Sequence, residues 1–92
     1  MRPDQGRTLL HGSAHRGSTK AVEWLLQHSA DPNTIDSALR TPLHLAAIRN
    51  SHASVASLLL DAGADRDLRD ADGRKAIDYA HEKGRLKVAA VL

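Results

Sequence analysis

His11 and His15 stand four residues apart, which on a helix places both rings on one face at the spacing of a two-histidine metal site. No third ligand recurs near them, so no metal is expected there, and the absence of cysteine excludes a thiolate-ligated zinc. His28, His52 and His81 fall at scattered positions and read as surface residues. Serine, histidine and aspartate are all present, but nothing supplies a nucleophile turn or an oxyanion hole, and no glycine-rich phosphate loop exists. The sequence therefore predicts no catalytic residue, no cofactor and no enzyme. Its chemistry is that of recurring cations: Arg7, Arg40 and Arg74 form one series, and Arg16, Arg49 and Lys83 another. Such groups donate charge-assisted hydrogen bonds to carboxylates and phosphates.

The recurrence follows from the chain repeating itself. "RTLLHGSAHRG" from Arg7 returns as "RTPLHLAAIRN" from Arg40 at a constant offset of 33 residues, Thr8 falling on Thr41 and His11 on His44. A third copy, "GRKAIDYAHEKG" from Gly73, follows at an offset of 34. The second halves agree as well, "VEWLLQHSADPN" matching "ASLLLDAGADRD", so the extra residue lies in "NSHAS" within the second unit. The units run approximately over 4–35, 36–69 and 70–92.

Each unit reads as helix, turn, helix, loop. Thr41-Pro42 is a helix start, because a threonine cap accepts from an unpaired N–H and proline at the first helical position has none to satisfy. Leu43, Ala46 and Ala47 repeat at helical spacing, and the alanines permit close helix approach. Gly17, Asn50 and Gly84 end the first helices; glycine and asparagine both tolerate positive φ, which predicts a recurring left-handed C-cap. Second helices are expected over 19–28, 53–61 and from 86 onward. Loops rich in Asp, Asn, Gly and Ser occupy 29–40 and 63–74.

These paired, in-register motifs resemble the ankyrin-repeat family over nearly the whole chain. The resemblance implies an all-α fold, a short solenoid of about three helix-turn-helix units joined by hairpin-like loops. It also implies that His11 and His44 are structural, tying neighbouring loops by hydrogen bonds. Leu39 stands where the family usually has glycine, so the loop either avoids positive φ there or stores strain. In the third unit Lys75-Ala76 replaces Thr-Pro and Asp78 replaces His, so its first helix should be less well capped. Asn33 matches a position that is often β-hydroxylated in the family, although Pro32 departs from the preferred apolar residue.

Stacking aligns equivalent residues, so the two cationic series should form rows bordering the concave face, which the resemblance implies is the recognition surface. Arg7, Arg40 and Arg74 in the loops, and His15, Arg16, Ile48, Arg49 and Lys83 on the first helices, are the expected contacts. Ile35 adds an apolar spot, whereas Asp4, Asp36, Asp70, Asp72 and Glu82 should dilute the field. The expected partner is a protein, through an acidic or phosphorylated segment. The competing reading is a regulatory or targeting segment of a larger enzyme or effector. Nucleic-acid binding is unlikely on this reading, since Trp24 is expected in the core and stacking aromatics are few.

Composition agrees. Hydrophobic residues make up 41% and charged residues 26%, which suits a folded domain, and the absence of phenylalanine requires a thin core of Leu, Ala, Val and Ile. No apolar run approaches the roughly 20 residues needed to span a bilayer, and no hydrophobic signal core stands near Met1. An intracellular, cytoplasmic or nuclear setting is expected. The apolar "KVAAVL" end points to a piece of a longer array, or to a weak dimer through that face; otherwise a monomer is expected.

Overall fold

The computed structural model describes residues 7–50 and 52–92. Six helices follow in order: α1 Leu9–Arg16, α2 Thr19–Gln27, α3 Pro42–Arg49, α4 Ser54–Asp61, α5 Ala76–Glu82 and α6 Leu86–Val91. No strand occurs among the described residues. Each odd-numbered helix packs on the helix that follows it, while α1, α3 and α5 stack in one layer and α2, α4 and α6 in a second. The stack measures 33 × 27 × 20 Å. Asp4 and the opening of the first unit lie outside the described residues, as does Ser51 in the inserted stretch.

The thin core is built as composition requires. Leu10, Leu43, Leu59, Val22, Val55 and Val88 are buried, together with Ala14, Ala46, Ala47, Ala56, Ala76 and Ala80. Alanine at these contacts brings helix backbones together, and each fully buried leucine contributes about 1.5–3 kcal/mol from lost apolar surface.

Local signals set the helix starts. Thr8 and Thr41 each accept the N–H of a histidine three residues on, His11 and His44, at 3.3 Å. The rings reciprocate: His11 Nδ1 and His44 Nδ1 accept the N–H of Thr8 and Thr41 at 3.1 Å. Because an N–H must donate, both rings carry their proton on Nε2, which donates to the Arg40 carbonyl at 2.7 Å and the Arg74 carbonyl at 2.8 Å. Each histidine thus ties its own helix start to the next unit's loop. In α5 only half of this arrangement survives. The Asp78 carboxylate accepts from the Lys75 N–H at 2.9 Å, and lysine has no acceptor to return the bond.

Two expectations fail. Gly17 and Gly84 end their helices at φ 72° and 67°, but Asn50 is extended at φ −106°. Its side-chain amide instead donates to the Ala14 carbonyl of the preceding unit at 2.7 Å. Trp24, expected in the core, is 57% exposed. Its equivalent Leu58 is partly covered because α2 packs beside α4; among the described residues no helix stands on the corresponding side of α2. Trp24 stacks on His28 instead, with ring centroids 3.8 Å apart. Leu9 is exposed where its equivalent, Pro42, is buried, and the cause is the same. Leu39 resolves the alternative left open at its position: it adopts φ 59°, a strained left-handed conformation for a leucine.

Candidate functional site

The two cationic series separate once their partners are traced. In the loops, Asp36 organises its own hairpin: its Oδ1 accepts the N–H groups of Ala38 and Arg40, both at 2.9 Å. Its other oxygen takes Arg7 Nε of the preceding unit at 3.3 Å. Asp70 repeats the pattern, accepting from Asp72 and Arg74 N–H at 2.9 and 3.0 Å, with Arg40 Nε of the preceding unit at 3.7 Å, an ionic contact longer than a hydrogen bond. Tyr79 adds a hydroxyl that donates to Asp70. The Arg40 and Arg74 guanidinium groups lie 5.5 and 5.4 Å from the centre of its ring. Arg74 forms an ion pair with Glu82.

Burial of Asp36 opposes its charged form. The N–H groups of Arg40 and Ala38, together with Arg7, overcome that and hold its carboxyl below the usual aspartate range. Asp70 is likewise held low against burial, by Tyr79 and by the Arg74 and Asp72 N–H groups. Both aspartates are buried, so they do not spread negative charge over the surface as expected from sequence. The signal was present: each stands four residues before the loop arginine, at Asp36…Arg40 and Asp70…Arg74. Tyr79, which the sequence reading passed over, sits where the equivalent positions hold Leu45 and Gly12.

The helix series differs. Arg16, Arg49 and Lys83 are exposed, and none makes an ion pair among the described residues. Arg16 and Arg49 occupy the last turn of α1 and α3, and Lys83 caps α5, where positive charge is also favoured by the helix dipole. Arg16 lies across Gly12, its Nη1 about 3.6 Å from where a side chain there would begin. His15, half-buried beside this series, titrates below the ordinary histidine range because burial and then Arg49, Arg7 and Arg16 disfavour its cation. Ile48, its equivalent on α3, is half-buried against the core. Ile35 is exposed on its loop.

Asn33 is held between loops: its Oδ1 accepts the Asp65 N–H at 2.7 Å, and its Nδ2 reaches the Gly63 carbonyl at 3.3 Å. Among the described residues no group of three potential ligands could hold a metal ion, and no helix is long and apolar enough to cross a membrane.

Three stacked helix pairs, each tied to the next by a histidine and an arginine, define a repeat whose sequence can be compared directly. A family model of ankyrin repeats in three copies matches residues 10–92. The chain belongs to the ankyrin-repeat family. Ankyrin repeats are protein-interaction modules, and that is the function of this fold. Among curated relatives, cyclin-dependent kinase 4 inhibitor B of Homo sapiens is 44% identical over 77 residues, covering 83% of this chain and 55% of the relative. E3 ubiquitin-protein ligase Ufd4 of Drosophila melanogaster is 39% identical over 92 residues, 97% of this chain but 3% of that protein. The transient receptor potential channel pyrexia of the same organism is 47% identical over 66 residues, 71% of this chain and 7% of the channel. The ankyrin chain thus spans at most about half the length of these relatives.

Proposed function

We propose that this ankyrin module binds an anionic segment of a partner protein along the first-helix layer. Arg16, Arg49 and Lys83 are the donors, His15 and Ile48 the flanking contacts. The observation that supports this is the division of the cations: the loop arginines Arg7, Arg40 and Arg74 are engaged within the stack, while the helix cations are exposed and make no ion pair among the described residues. Arginine forks suit carboxylate or phosphate oxygens, and an apolar contact beside them excludes water. Arg7, Arg40 and Arg74 then serve mainly to hold the loops that border the surface. In this reading the chain itself carries no catalysis and works in an intracellular setting.

The test is capture of partners from cell lysate with the wild-type module and with Arg16→Ala, Arg49→Ala and Lys83→Ala combined, after circular dichroism shows both folded. Loss of a protein band in the variant supports the surface; identical bands reject it. Binding that instead follows added nucleic acid and falls steeply with salt would assign the row to phosphate backbones.

A second reading has support from the relatives. The relatives that this chain covers by only 3% and 7% carry the matching repeats within much larger proteins, one a ligase and one a channel by name. In that setting the repeats supply binding or targeting while the remaining chain acts. The parent reading frame distinguishes the two.

A further inference from the structure

The second-helix layer, on the opposite side from the cationic row, carries its own recess. Glu23, Leu26 and Gln27 of α2 face Leu58 and Asp61 of α4 and the adjoining Ala62, around an open hollow of about 250 Å³. Leu26 and Leu58 form its apolar floor; both are only partly covered, whereas Val22 and Leu59 beneath them are fully buried. Glu23 and Asp61 stand at its edge, exposed, and neither makes an ion pair among the described residues.

We infer that this recess is a second docking surface, which takes a partner segment bearing an aliphatic residue flanked by lysine or arginine. The aliphatic side chain enters between Leu26 and Leu58, since the volume accommodates one or two such groups. Its basic neighbours face Glu23 and Asp61, neither of which is in an ion pair among the described residues. The arrangement has the opposite sign to the first-helix row, so the two layers would select different segments and could be occupied together.

Two blocked hexapeptides serve as probes, Ser-Lys-Leu-Leu-Lys-Ser and the same peptide with both lysines replaced by glutamate. Titration into the intact chain is followed by the methyl resonances of Leu26 and Leu58. The expected result is saturable change at both residues with the lysine peptide and none with the glutamate peptide. Glu23→Gln with Asp61→Asn, exposed substitutions that leave the core untouched, should weaken that binding about threefold to tenfold. Equal response to both peptides, or none at Leu26 and Leu58, overturns the inference. So does methyl shifting with protein concentration alone, because the occupant would then be a second copy of the chain.

Discussion

The Asn50 side chain closes the end of the preceding unit's first helix, its amide donating to the Ala14 carbonyl at 2.7 Å. Gly17 makes room for it: a Cβ there would collide with Asn50 Oδ1, and the backbone at φ 72° already disfavours a side chain. Gly17→Ala is therefore expected to destabilise the fold by about 1–3 kcal/mol. In Gly17→Ala with Asn50→Ala the collision disappears, so the double variant should lose less than the two single losses combined. Urea denaturation of all four proteins measures this coupling.

Removal of a loop cation should cost stability, whereas removal of a helix cation should not. Arg40→Gln takes the positive partner from buried Asp70 and leaves its carboxylate less compensated, at an expected loss of about 1–3 kcal/mol. Arg49→Gln removes an exposed group that makes no ion pair among the described residues, and should change stability by less than about 0.5 kcal/mol. Thermal melts of the two variants side by side check the distinction, and similar losses would contradict it.

Acid should loosen the stack through the two aspartates. Their carboxyls titrate lower in the folded state than the 3.8 of an unstructured aspartate. The unfolded chain thus takes up these protons first, and the associated stability is complete above about pH 4 and is lost as pH falls through the folded values. Asp36→Asn with Asp70→Asn should be less stable at pH 7 and show a flatter stability profile between pH 5 and 2, measured by denaturant midpoints.

Leu39 offers a change in the other direction. Glycine relieves its left-handed backbone at φ 59°, and the side chain surrendered is 45% exposed. Leu39→Gly should gain up to about 1 kcal/mol, the released strain exceeding the added freedom of the unfolded chain. A lower melting temperature would show that the leucine contributes more through its contacts than it costs in strain.

Asn33 links modification to loop packing. Co-expression with an asparaginyl hydroxylase is expected to add one oxygen at this residue, read by mass spectrometry of the peptide containing it. Absence of the added mass would remove the proposal. Asn33→Ala should cost about 0.5–2 kcal/mol, since it deletes both bonds to the Gly63 and Asp65 backbone.

Much of the architecture was legible because repetition multiplies weak signals. One Thr-Pro start is modest evidence, but the same start, cap and apolar strip at an offset of 33 fixes the unit, and the observed helices follow those bounds within a residue or so. What escaped was information that depends on position in the stack. Trp24 and Leu58 are equivalent by sequence, yet among the described residues a helix stands on that face of α4 and none on that face of α2. Asn50 ends its own helix as expected, but in an extended rather than left-handed conformation, and its side-chain amide serves the helix before it. The surface charge was misjudged for a related reason: Asp36 and Asp70 look solvent-facing until the backbone N–H groups they collect are seen.

The middle unit is distinct in its connections. Residues 36–69 carry an aspartate that receives the upstream arginine, an arginine that engages the downstream aspartate, and a histidine that bonds the downstream carbonyl. It therefore presents matching halves at its two ends, like a tile that fits its own copy. Tandem duplication of this unit would leave no buried aspartate without its arginine. Only the join at Asn50 would conflict, since a second Asn50 would meet the first where Gly17 now stands. With glycine at position 50 of the upstream copy, the array could be lengthened one unit at a time, and the cationic row would lengthen with it.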